Sequence, residues 1–149
     1  MIGNRRAAVQ ALDALPGTRV ARVSGVYRNP PLGPAAQPDY LNAVAALATR
    51  LDPLALLDEL QAIERARGRT RAGERWQART LDLDLLLYAG RCLDTPRLQL
   101  PHPGVHLRAF VIHPLAEIAP GAIVPGRGAA AEIAAAVPAH ALHRLDVNL

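Results

Sequence analysis

Residues 79–88, RTLDLDLLLY, alternate polar and apolar side chains without a break from Thr80 to Leu85. A period of two is the pattern of a β-strand, in which successive side chains leave opposite faces. Thr80, Asp82 and Asp84 are therefore expected on one face, and Leu81, Leu83 and Leu85 on the other, giving a strand with one side against a core and an anionic second side. Two such positions lie roughly 7 Å apart along a strand, close enough for both carboxylates to serve the same pair of hard divalent cations. A lone D-x-D is more often the solvated face of a half-exposed strand, so the rest of the chain has to decide.

The chain of 149 residues is expected to form a single domain over 1–149 with one core. No apolar run approaches the roughly 20 residues of a membrane span, and the start lacks a signal-like hydrophobic stretch. Together with the single cysteine, Cys92, which can form no internal disulfide, this points to a cytoplasmic protein. All 17 basic residues are arginine. A lysine-dependent phosphate loop and Schiff-base chemistry are thereby excluded, and any phosphate must be held by guanidinium groups, backbone amides or metal. Six of those arginines, Arg65, Arg67, Arg69, Arg71, Arg75 and Arg79, immediately precede the two aspartates.

The remaining periodicities give the order of elements. NRRAAVQALDAL reads as a helix with Asn4 as a possible cap and Pro16-Gly17 as its stop. TRVARVSGVYR, with Gly25 as a bulge, and YLNAVAALATRL read as strands around a proline-rich loop, whose prolines pre-set its backbone. Asp52 and Pro53 can cap and open a second helix, with Leu56, Leu57, Leu60 and Ile63 at helical spacing and an end near Gly68. The D-x-D strand follows, then a strand-like stretch over 91–103, a helix within 105–120 ending near Pro114 or Pro120, and a short helix in AAAEIAAAV. Helix, strand, strand, helix, strand is the order of a ferredoxin-like β-α-β-β-α-β unit lacking its first strand.

A basic stripe beside such a sheet invites a nucleic-acid reading. Single-strand binders, however, stack bases on several aromatic rings, and this chain has five aromatic residues in all, Tyr27, Tyr40, Trp76, Tyr88 and Phe110, with no aromatic-rich strand. A nuclease would use similar parts but would call for a further acidic cluster. Arginines that neutralise phosphate charge next to carboxylates that hold metal fit phosphoryl-type transfer better.

Three segments, YRNPPLGPAAQPDYLNAVA, IERARGRTRAGERWQARTLDLDLLLY and LPHPGVHLRAFVIHPLAEIAP, closely resemble the hydroxymethyl-dihydropterin pyrophosphokinases of folate biosynthesis, in order from about residue 3 to residue 126. The resemblance implies an α/β (α+β) fold, a three-layer α-β-α sandwich on a ferredoxin-like, mostly antiparallel sheet. It also implies transfer of the pyrophosphoryl group of ATP to the hydroxymethyl oxygen of a reduced pterin. Asp82 and Asp84 match the ligands of two Mg²⁺ ions. Arg69 and Arg79 match phosphate-contacting arginines, and Arg71, Arg75 and Trp76 belong to a loop, 68–78, that covers the site. Gln61, Glu64, Arg97, His102 and Arg108 match positions on the nucleotide side. Tyr40 and Phe110 match a pair of rings that sandwich the pterin, Asn42 matches its hydrogen-bonding partner, and backbone groups from Pro30 to Leu32 assist. No side chain is assigned as a general base, and His106, His113, His140 and His143 are expected to be structural or solvent-facing.

The sequence departs from that family at its start, where MIGNRR matches only the tail of the family's first turn, so the first strand is expected to be missing. A monomer is expected, with strand exchange between subunits if the strand is truly absent. An inactive family member and an arginine-rich nucleic-acid-binding module are the competing readings. Smaller departures are Asn29, where threonine is common, and Pro103, where an aromatic residue is sometimes found; both are expected to tune the pockets.

Overall fold

The computed structural model describes residues 2–29, 40–68, 81–139 and 142–149. Its elements begin with α1 (Ile2–Asp13), β1 (Thr18–Val23), β2 (Tyr27–Asn29), β3 (Tyr40–Asn42), β4 (Ala45–Thr49) and α2 (Pro53–Ile63). They continue with β5 (Leu93–Asp94), β6 (Gln99–Leu100), α3 (Ala109–Ile118), β7 (Ile123–Val124), β8 (Gly128–Ala129), α4 (Ala130–Ala136) and β9 (His143–Arg144). The class is mixed α/β with antiparallel pairing, as expected. Among the described residues the strands pair as β1 with β4, β3-β2-β9, β5 with β6, and β7 with β8.

The described helices form where the apolar period runs, with boundaries set by hydrogen bonding. Ala8 and Leu12 of α1, four residues apart and so on one face, are buried. That helix starts at Ile2, so Asn4 lies within its first turn rather than at its cap; a boundary falls where backbone bonding begins, not at the residue best suited to cap. Gly17 takes φ of +61°, a left-handed turn that only glycine enters without strain, and its carbonyl accepts from Arg50 N–H at 2.9 Å. α2 follows its sequence closely: Asp52 Oδ1 accepts from Ala55 N–H at 2.8 Å, Pro53 opens the first turn, and Leu56, Leu57, Leu60 and Ile63 are buried. A π-helical turn over Glu64–Gly68 continues it to the expected stop.

Two compact units divide the chain: residues 1–21 and 47–85 with Leu149 form the first, and 22–46 with 86–148 the second. The first unit holds α1, α2 and residues 81–85. In the second, Val44, Val105, Ile112, Leu115, Ile118, Val124, Ala130 and Ala134 make the core, so α3 and α4 face one another through their apolar sides. The helix expected within 105–120 begins only at Ala109, because 103–107 are turns, and it runs through Pro114 to Ile118. Proline sacrifices one helical hydrogen bond, and here its ring is buried in the helix's apolar face.

Three strand expectations change. TRVARVSGVYR is two strands, β1 and β2, separated at Ser24–Val26, and YLNAVAALATRL is likewise divided at Ala43 and Val44. At the break, buried Ser24 donates its hydroxyl to Gly25 C=O at 2.7 Å and accepts from Val44 N–H at 2.9 Å, which satisfies its polar atom. The third change concerns residues 81–88, which belong to no described strand. The alternation of exposure nevertheless persists, with Leu81 buried, Asp82 exposed, Leu83 half-buried and Asp84 exposed. Backbone groups that a ladder would satisfy are bonded otherwise: Leu83 N–H to Glu64 Oε2 at 2.6 Å, and Leu86 C=O to His102 N–H at 2.9 Å. Among the described residues no helix is long and apolar enough to cross a membrane.

Candidate active site

In the first unit, the anionic feature is the pair Asp82 and Asp84. Both are exposed while Leu81 is buried, an alternation like the one the sequence implied, in a segment with no described ladder. Arg5 on α1 feels Asp82: desolvation lowers its pKa, and the Asp82 carboxylate opposes that shift. Sequence reasoning had given Arg5 no role. Gln61 and Glu64 stand at the end of α2 and the start of the following π-helical turn. The Glu64 carboxylate accepts from the N–H of Leu83, the residue between the two aspartates. Arg69, Arg71, Arg75, Trp76 and Arg79, expected around the same carboxylates, lie outside the described residues, as does most of the loop assigned to 68–78.

No group of three or more His, Cys, Asp or Glu side chains able to hold a metal is present among the described residues. Two exposed carboxylates still fit Mg²⁺, which retains several waters and is held by one or two protein carboxylates together with substrate phosphates. Calcium- or zinc-type cages would need more protein ligands.

In the second unit, β2 and β3 carry the polar face expected to meet the pterin. Their register places Tyr27 opposite Asn42 and Asn29 opposite Tyr40. Residues directly opposite share a face, as do residues two apart, so Tyr27, Asn29, Tyr40 and Asn42 all project to the same side. Asn42 Nδ2 donates to Asn29 Oδ1 at 2.8 Å, a contact that fixes the rotation of the Asn42 amide and directs its Oδ1 elsewhere. Tyr40 is 47 % exposed, and Phe110 lies half-buried in the first turn of α3. Pro30 and Leu32 lie outside the described residues.

His102, Gly104 and Arg108 form a second group in this unit. His102 Nδ1 accepts from Gly104 N–H at 3.0 Å. A ring nitrogen that accepts carries no proton, so the neutral ring holds its proton on Nε2, a donor suited to a phosphate oxygen. The Arg108 guanidinium lies over Gly104: a Cβ there would come within 2.8 Å of its Nε and 2.9 Å of its Cζ. Gly104 thus brings together two residues that the sequence assigned to the nucleotide, a role that its own identity did not reveal. Arg97 is exposed in the turn between β5 and β6. His113 Nε2 is paired with Val137 C=O at 2.8 Å, and His143 is exposed on β9, as expected of structural or solvent-facing histidines. His140 lies outside the described residues. A surface groove of about 500 Å³ lined by His106, Leu107, Arg127, Glu132, Ile133, Ala136, Val137 and Pro138 contains none of the expected site residues.

The polar face of β2 is braced by Glu117 of α3. Its carboxylate accepts from the Tyr27 hydroxyl, from Gly25 N–H at 3.0 Å and from Arg144 Nε at 3.2 Å. Arg144 lies so close to Gly25 that a Cβ there would fall 2.5 Å from its Nε, so a larger residue would have to push the guanidinium aside. Burial, then the hydrogen bond to Glu117 and its charge, push the Tyr27 hydroxyl up to about 12. For Glu117 itself burial acts upward, but the bonds from Arg144, Tyr27 and Gly25 outweigh it, and the carboxyl is held below its usual 4.5. A carboxyl lowered in the folded state contributes stability that is complete above the unfolded value and is lost as pH falls through the folded one. The melting temperature is therefore expected to be flat down to about pH 5 and to fall below it, with a shallower acid slope in Glu117→Gln; equal slopes in the two proteins would contradict the brace.

Comparison with known proteins bears on this geometry. A family model described as 7,8-dihydro-6-hydroxymethylpterin-pyrophosphokinase matches residues 2–120. Over 140 residues the chain is 50 % identical to the 2-amino-4-hydroxy-6-hydroxymethyldihydropteridine pyrophosphokinase of Pseudomonas aeruginosa, an alignment covering 94 % of this chain and 86 % of that one. It is 45 % identical over 140 residues to the protein of the same name from Haemophilus influenzae, covering 94 % and 87 %, and 44 % identical over 128 residues to that of Synechocystis, covering 86 % and 65 %. With the D-x-D segment, the Asn42 face and the His102 turn all inside the matched span, the chain belongs to the 7,8-dihydro-6-hydroxymethylpterin-pyrophosphokinase family.

Proposed function

We propose that this chain transfers the β,γ-pyrophosphoryl group of ATP to the hydroxymethyl oxygen of 6-hydroxymethyl-7,8-dihydropterin, yielding AMP and the pterin diphosphate of folate biosynthesis. The observation that carries the reading is the pair of exposed carboxylates, Asp82 and Asp84, whose neighbour Leu81 is buried, in a chain half identical to a named pyrophosphokinase. Asp82 and Asp84 would hold two Mg²⁺ ions. When bound, such ions neutralise charge on phosphate oxygens and orient the transferred group.

The chain's own groups do the rest of the positioning. His102 offers its Nε2–H, and Arg97 and Arg108 their guanidinium forks, to the nucleotide; Arg69 and Arg79 would neutralise phosphate charge, with Arg71, Arg75 and Trp76 as further nucleotide-binding residues. Gln61 and Glu64 stand on the nucleotide side. Tyr40 and Phe110 stack on the pterin, and Asn42, its amide set by Asn29, pairs with the donors on the ring edge, assisted by backbone groups from Pro30 to Leu32. Phosphoryl-type transfer needs placement and charge stabilisation more than covalent help from the protein, which fits a site with no assigned general base.

Asn42→Ala is expected to raise the KM for the pterin roughly tenfold, the effect of leaving buried polar groups of a ligand unpaired, while leaving the KM for ATP in place. An unchanged pterin KM would count against the assignment. The reaction class is tested by chromatography of the nucleotide product: AMP supports pyrophosphoryl transfer, whereas ADP would mean that a single phosphoryl group moves.

A further inference from the structure

Glu64 opens the π-helical turn that follows α2 and reaches a backbone well away from its own. Its Oε2 accepts from Leu83 N–H at 2.6 Å in a partly buried setting, nineteen residues along the chain. Leu83 lies between Asp82 and Asp84, in a segment with no described strand beside it. A backbone N–H bonded to a carboxylate is a charge-assisted contact, stronger than its neutral counterpart. Where no described ladder sets the two aspartates' direction, the Glu64 side chain holds the N–H of the residue that separates them.

We infer that Glu64 is a positioning residue for the carboxylate pair: it holds the Leu83 peptide so that Asp82 and Asp84 are both presented on the exposed side. This rests on the reading of Asp82 and Asp84 as metal ligands. It differs from a nucleotide contact, because this oxygen of Glu64 is engaged by the protein itself. The requirement is for an acceptor rather than for a charge, so a glutamine, which keeps a carbonyl oxygen in the same place, should retain much of the effect, and an alanine none of it.

The test measures Mg²⁺ dependence in the full chain, as activity titrated with Mg²⁺ at saturating ATP and pterin and as binding of Mn²⁺ followed by electron paramagnetic resonance. Loss of an outer-sphere partner of a metal ligand costs roughly tenfold or more in metal affinity, so Glu64→Ala is expected to shift both midpoints upward by about tenfold, and Glu64→Gln by much less. Asp82→Asn serves as the control. If Asp82→Asn moves the metal midpoints and Glu64→Ala leaves them unmoved, the positioning role is wrong while the metal reading stands; if Asp82→Asn moves nothing, the metal reading fails and takes the proposal with it. Amide exchange in the unsubstituted protein guards against a variant that does not fold: the Leu83 N–H is expected to be protected, and exchange at the rate of a free peptide would overturn the proposal.

Discussion

Asp82→Asn and Asp84→Asn should each lower kcat by about a thousandfold, ~4 kcal/mol of transition-state stabilisation, with the protein still folded. Asparagine keeps the size of the side chain and removes the charge that a hard cation requires. Both aspartates are exposed, so neither substitution opens a cavity. The two variants should nevertheless differ in stability. Asp82 opposes the desolvation of the Arg5 guanidinium, so its neutralisation leaves that partly buried cation less well compensated, and Asp82→Asn should melt below Asp84→Asn. Rates within tenfold of the unsubstituted chain would show that neither carboxylate holds a metal the reaction needs.

The largest effect on stability is expected in the second unit, from Ile112→Ala. Ile112 is fully buried on the face of α3 that meets Val44, Val105 and the small residues of α4 in one cluster. Truncation removes buried apolar surface and leaves a cavity that a helix pinned by its neighbours cannot close, costing about 3 kcal/mol. For a chain of this size that corresponds to a fall in melting temperature of roughly 10 °C. Calorimetry or a denaturant titration reads it directly; a loss below about 1 kcal/mol would mean that the site collapses without strain.

Local features were legible in the sequence. Asp52, Pro53 and the Leu56, Leu57, Leu60 and Ile63 stripe define α2 because capping and helical burial depend on near neighbours. The outward direction of Asp82 and Asp84 was legible too, since alternation needs no partner. What the sequence did not show was set by long-range contacts. Residues 81–88 have no described strand partner, and two of their backbone groups are met by Glu64 and His102 instead; nothing in RTLDLDLLLY announces either contact. Likewise β9 pairs with β2 across most of the chain, and Glu117 ties the Gly25–Tyr27 stretch to Arg144, far along the chain from both. Asn29 looked like a small departure from a common threonine, whereas its amide sets the orientation of Asn42. Gly104, which reads only as a turn residue, seats both His102 and Arg108.

The most direct measurement is AMP release by the purified chain in Mg²⁺ and ATP, with and without 6-hydroxymethyl-7,8-dihydropterin. AMP that forms only when the pterin is present, mole for mole with the pterin consumed, is the expected result. No AMP, or AMP at the same rate without the pterin, would contradict pyrophosphoryl transfer to the pterin by this chain.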